Sequence, residues 1–122
     1  MVRPKLILIG YWRGERAVGW PDPNDFVDLT WDEDERDLVA DYLGRGFVVW
    51  GCPGYSPCRV CGRKNGSLEL SDGVYLWPDG LVHYVADHGV RPPEPFLSHV
   101  LSRIEAFETV GRDESWWRSQ AT

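Results

Sequence analysis

The chain contains no long hydrophobic run. No stretch approaches the roughly 20 apolar residues needed to cross a bilayer. The longest apolar run near the N-terminus, Leu6 to Ile9, is too short for the core of a signal peptide. The chain is therefore expected to stay in the cytoplasm, with no membrane partner. Basic residues are in deficit: 13 Lys and Arg against 19 Asp and Glu give a net charge of −6. A duplex-binding face relies on Lys and Arg to neutralise phosphates, so this balance argues against a broad duplex-binding face and gives no strong sign of a nucleic-acid partner, while leaving room for a small local basic patch. Cysteine and histidine number three each. An odd cysteine count in a reducing compartment argues against a disulfide framework and leaves metal binding, thiol chemistry or burial. H-E-x-x-H, G-x-S-x-G and a glycine-rich phosphate cradle are all missing, as are internal repeats and low-complexity segments.

What is present suits one folded domain. The chain has 122 residues, 43% hydrophobic and 26% charged, with seven Trp, five Tyr and four Phe. Each buried aromatic removes a large area from water, so a core is attainable at this length. The expected fold class is α+β: one small, mostly antiparallel sheet with about three helices over residues 1–122, and a tail, 112–122, that either docks through Trp116 and Trp117 or stays loose.

Lys5 to Trp12 (KLILIGYW) is apolar and β-rich, which predicts a buried strand. Residues 13–30 are rich in Gly and Pro and read as a loop, with Phe26–Val27 its one ordered feature. A helix is expected over about 32–44. Thr30 with Glu33, or Asp32 with Glu35, can form its capping box, and the acidic first turn suits the helix dipole. Gly44 and Gly46 supply its stop. Phe47 to Trp50 (FVVW) predicts a second buried strand. Leu68 to Trp77 predicts a hairpin turning at Asp72–Gly73, the preferred pair for a two-residue turn. That register sets Leu70 opposite Tyr75 and Leu68 opposite Trp77. Asp79 is placed to cap a short helix over 80–88, with Gly89 as its left-handed stop. A last helix runs from the Pro92–Pro95 region to about Glu108. Phe96, Leu97, Val100, Leu101, Ile104 and Phe107 share one face of it, and His99 sits off that stripe as a flanking surface residue.

The chemistry concentrates between Cys52 and His88. Cys58-Arg-Val-Cys61-Gly is a C-x2-C followed by glycine, and two thiolates at that spacing can grip one tetrahedral Zn²⁺. His83 and His88 have the H-x4-H spacing of zinc-binding histidine pairs. On an ideal helix they lie about 140° apart, so they converge only if the helix ends near His88, which Gly89 favours. Cys52 is an alternative ligand. The order of knuckle, hairpin and helix with a histidine in its first turn resembles the treble-clef class of zinc fingers over Cys58 to His88, and departs from it in placing only His83 at the helix start. The alternative is that Cys58 and Cys61 are loop thiols, His83 a hydrogen-bonded surface residue and His88 a favourable charge at a helix C-terminus.

Enzyme signatures fare less well. Cys52 to Arg59 has a spacing of x6 where cysteine phosphatases have x5. Cys58–Cys61 lacks the long helix that follows a thioredoxin-like pair. HNH-type nucleases need a histidine before Tyr75 that this chain does not have. A nucleophilic Cys52 paired with His83 or His88 stays open. Nine carboxylates between Asp22 and Asp41 read as a solvated face. Arg59, Arg63 and Lys64 form a small basic cluster beside the knuckle, and Trp12 and Trp20 flank the flexible loop, either as partner-binding residues or as pins for it. The expected function is that of a small cytoplasmic interaction or regulatory protein with a protein partner, its cofactor a structural zinc. The alternative is a cysteine- or metal-dependent enzyme using Cys52 or a site formed by Cys58, Cys61, His83 and His88.

Overall fold

The computed structural model describes residues 4–122. Its sheet has four strands, β1 (Ile7–Leu8), β2 (Phe47–Gly51), β3 (Leu68–Ser71) and β4 (Tyr75–Pro78), in the order β1-β4-β3-β2. The β2–β3 and β3–β4 pairs are antiparallel, and β1 runs parallel to β4. Helices α1 (Glu33–Gly44), α2 (Leu81–His88) and α3 (Glu94–Thr109) enclose the core, and a one-turn helix α4 (Ser115–Arg118) lies beyond them. The α+β class and the mostly antiparallel sheet are as the sequence predicts.

Helix α1 starts where Asp32 accepts a hydrogen bond from the Glu35 amide at 3.0 Å, so Asp32 is the N-cap and only this half of the second capping box forms. The Glu35 carboxylate turns back to accept the indole N–H of buried Trp31. In the preceding loop Pro23–Phe26 forms a 3-10 turn and Val27 bridges Val90.

Trp77 organises the core. It is fully buried, donates its indole N–H to the Leu43 carbonyl at 3.0 Å and packs its ring against Phe96. Opposite it in the sheet is Leu70. A Cβ at Gly46 would lie 2.8 Å from the Trp77 ring and 2.9 Å from Leu70 Cβ, so glycine there permits the chain to cross close behind this pair. Truncating such a residue typically costs roughly 3–5 kcal/mol.

The predicted register of the hairpin is corrected by two residues: Ser71 pairs with Leu76, and Leu70 with Trp77. Asp72 causes the shift. Its Oδ1 accepts from the amides of Val74 and Tyr75, at 2.9 and 2.8 Å, which stabilises a wider turn than the two-residue one. A shift of two preserves the alternation of faces, so Leu70 and Trp77 still point to the core.

Both strands predicted to be buried are exposed instead. Phe47 is 81% and Val48 62% accessible in β2, and Ile7 and Leu8 of β1 are also open. These strands form the two edges of the sheet, and the helices cover its centre. Phe107, at the far end of the last helix's apolar stripe, is 72% exposed, and in the tail Trp116 and Trp117 pack on each other with both rings exposed. His99, expected at the surface, is half-buried and bonded to Asp72 at 2.7 Å. Among the described residues no helix is long and apolar enough to cross a membrane.

Candidate metal centre

The segment after β2 folds back on itself as a narrow arm. The Asn65 amide donates to the Ser56 carbonyl at 2.8 Å and the Ser56 amide to the Gly66 carbonyl at 3.1 Å, Pro57 bridges Lys64, and the Cys58 amide donates to the Arg63 carbonyl at 2.8 Å. The tip is closed by the Gly62 amide donating to the Cys58 carbonyl at 2.8 Å, with Gly62 at φ +77°, a conformation glycine reaches without cost. This turn carries Cys58, 2% exposed, on its inner side and Cys61 on its outer side.

Burial by itself would push the Cys58 thiol up. The amides of Cys61 and Val60 and the Tyr84 hydroxyl outweigh it and bring the thiol below its ordinary value, because each favours the thiolate. Tyr84 is available to do so: its oxygen accepts the Arg59 amide at 2.7 Å, which leaves its O–H to donate.

Helix α2 supplies the other half. Asp79, expected to cap it, instead accepts from the Leu68 amide at 3.3 Å, and the helix starts at Leu81 behind Gly80. Gly89 ends it at φ +64°, as predicted. His88 is therefore the last helical residue and swings back to His83, with Nε2 to Nε2 at 3.1 Å and the rings close to perpendicular. His83 Nε2 also stands 3.3 Å from Cys61 Sγ. Its Nδ1 lies 2.6 Å from an Asp87 carboxylate oxygen, a contact that holds the ring with Nδ1 toward the carboxylate and Nε2 toward Cys61 and His88.

The Sγ atoms of Cys58 and Cys61 and one nitrogen each of His83 and His88 all lie within 4.8 Å of one another. Tetrahedral zinc, with bonds of about 2.3 Å to sulfur and 2.0 Å to nitrogen, sets ligand atoms about 3.3–3.8 Å apart. The donor set and its compactness fit that ion. Two soft thiolates and two imidazoles are also the donors zinc accepts most readily.

Two glycines bring the halves together. A Cβ at Gly80 would sit 2.2 Å from the Asn65 carbonyl oxygen, and one at Gly66 would sit 1.9 Å from Asp79 Oδ1. Asn65 closes the contact by donating its side-chain amide to the Gly80 carbonyl at 3.0 Å.

Cys52 is not part of this cluster. It is exposed, tied by its amide to the Ser67 carbonyl, and among the described residues no hydrogen bond joins it to a histidine. Neither its place as fourth ligand nor its pairing with an imidazole is met, because the arm carries the knuckle away from the end of β2. Trp12 is half-buried against Phe26 and Tyr84, and so pins the loop. Trp20 remains exposed and rests on Tyr11. Of the basic cluster, Arg59 is spent on the carbonyls of Arg13 and Pro57, and Lys64 sits over the Tyr55 ring. Arg63 contributes its carbonyl to the knuckle. Sequence reasoning missed Asp87, although its place four residues after His83 on one helix was a usable sign. It also missed Tyr84 and Asn65, whose roles depend on contacts far along the chain.

Comparison of the chain with models of known protein families, with curated proteins and with solved structures finds no match.

Proposed function

We propose that the protein binds one zinc ion through Cys58, Cys61, His83 and His88, and that the ion is structural. The observation that carries this reading is the convergence of four soft or borderline ligand atoms within 4.8 Å from two separate segments. Four protein ligands exhaust a tetrahedral ion, so no position is left for a substrate or an activated water. The ion would lock the knuckle to α2 and thereby hold the arm on the core. On this reading the chain is a small cytoplasmic interaction or regulatory protein. Its uncovered apolar edge at Phe47 and Val48, together with exposed Phe107, Trp116 and Trp117, is the surface that supports a protein partner.

Metal analysis of purified protein, paired with thermal melts with and without a strong chelator, tests the proposal. One zinc per chain is expected, and chelation should lower the midpoint by roughly 10 °C or more, since structural zinc contributes folding free energy directly. Protein without zinc whose melt ignores the chelator would sink the reading.

A further inference from the structure

A groove of about 560 Å³ lies between α1, α3 and the start of β2, and no metal-ligand candidate lines it. Its apolar lining comes from Leu38, Phe47, Ile104 and Phe107. The elements explain why these side chains are left open. On α1 the core takes Val39 and Leu43, and Leu38 stands beside that stripe, exposed. On α3 the apolar stripe outruns the core: Val100 is fully buried, Ile104 half-buried and Phe107 exposed. Phe47 is open because β2 is an edge strand.

The polar groups here divide into two sets. The first is answered within the chain. Arg45 lies on Asp41 at 2.9 Å, Arg103 donates to the Asp72 carbonyl at 3.1 Å, and the Asp72 carboxylate accepts the Tyr42 hydroxyl and sits on His99. The second set is acidic and open. Asp34, Asp37 and Asp41 follow one another at i, i+3 and i+7 along α1. They line a hollow that shares Leu38 and Asp41 with the groove. Glu108 stands on the α3 side. All four carboxylates are exposed. Asp34, Asp37 and Glu108 have no cationic partner among the described residues.

Apolar area left in water costs free energy in proportion to its extent, so a groove with this lining favours an apolar occupant. A cavity of about 150 Å³ holds a benzene ring, so this one has room for about three side chains of that size. A helix laid between two helices presents such anchors along one face, at i, i+3 or i+4, and i+7. The open carboxylates set the sign of its flanks. Lys or Arg beside the anchors gains attraction, whereas an anionic lipid, a nucleic acid or a second copy of this chain, at net charge −6, meets like charge. We infer that the groove is the docking site for a basic amphipathic helix of a partner protein, its apolar face on Leu38, Phe47, Ile104 and Phe107 and its Lys or Arg side chains on Asp34, Asp37 and Glu108. This partner class narrows the reading of the chain as an interaction protein, on which it rests, and is independent of the metal centre.

The test is fluorescence anisotropy of a labelled synthetic peptide titrated with the full chain as purified. The peptide has about 18 residues, enough to form a helix, with leucine along one face and lysine along the other. Saturable binding that weakens with added salt is expected. Leu38→Ser and Phe107→Ser, at exposed positions on different helices, should each weaken it about tenfold. Asp34→Asn combined with Asp37→Asn should weaken it about threefold and flatten the salt dependence. Glu15→Gln combined with Asp25→Asn removes the same charge outside the groove and should leave binding within about twofold. Equal binding of the same peptide with glutamate for lysine, or of polylysine of the same length, would overturn the proposal. So would an equal loss in the Glu15 and Asp25 pair, or undiminished binding by both serine variants. Binding lost in Trp116→Ser with Trp117→Ser but kept in the groove variants would overturn the groove and leave the interaction reading standing. Failure of all three peptides to bind would overturn the groove and tell against the interaction reading as well.

Discussion

Asp87 grips the back of His83: its carboxylate oxygen lies 2.6 Å from Nδ1, on the side of the ring away from Cys61 and His88. A carboxylate behind a ligating histidine sets the tautomer and raises the basicity of the nitrogen that faces the metal. Asp87 is exposed on α2, so its replacement should spare the fold. Asp87→Ala is expected to weaken zinc affinity by roughly 10- to 100-fold, measured by competition with a chromogenic chelator. Unchanged affinity would show that the pair does not serve the metal.

The contact of Gly80 with Asn65 leads to a prediction of the opposite kind. Gly80 has ordinary helical angles, φ −65° and ψ −12°, so only space forbids a side chain. A methyl group would meet the Asn65 carbonyl oxygen at 2.2 Å, which is backbone and cannot rotate away. Gly80→Ala should destabilise the protein by roughly 1–3 kcal/mol and lower zinc affinity by separating the arm from α2. Gly111→Ala, where nothing lies within 4 Å, is the control and should change little. Both are read from urea midpoints.

Asp72 supplies a pH dependence. Burial works against its charged form. The Tyr42 hydroxyl, the amides of Tyr75 and Val74, and His99 more than compensate and hold its carboxyl down at about 2, below the ordinary 3.8. A carboxyl lowered in the folded state stabilises the fold above its ordinary value and loses that contribution as pH falls. The urea midpoints of the parent and of Asp72→Asn should therefore differ most above pH 4 and converge as pH falls through about 2. A constant gap across that window would show that the charge is not what Asp72 contributes.

The outer strand carries a liability. Among the described residues β2 pairs only with β3, and its residues Phe47 to Gly51 include no charge and no proline. Such an edge is a template for pairing with another chain. Val48→Lys places a charge on an exposed position and should reduce light scattering during heat stress while shifting stability by under about 1 kcal/mol. Scattering as strong as that of the parent would locate the aggregating surface elsewhere, with Trp116 and Trp117 the next to change.

Legibility followed the range of the interactions. Helix α1, the Gly89 stop and the two pairs of metal ligands were readable because caps, left-handed glycines and C-x2-C or H-x4-H spacings are local features. The hairpin register was misread by two residues because one aspartate side chain offered two backbone amides a better acceptor than the short turn does. Asp79 was assigned to a helix cap for the same kind of reason: its carboxylate was taken by Leu68, eleven positions earlier.

The sequence by itself determined the fold class and narrowed the residues capable of holding a metal to Cys58, Cys61, His83 and His88 with Cys52 as a rival, since these depend on residue type and short spacing. Tertiary structure alone decided that FVVW and Ile7–Leu8 lie at the exposed edges of the sheet, that Cys52 stands apart from the histidines, and that Cys58 and Cys61 meet His83 and His88. The physical reason lies in two close approaches, Gly80 against Asn65 and Gly66 against Asp79. They admit no side chain, and nothing in the local pattern of either segment announces the other.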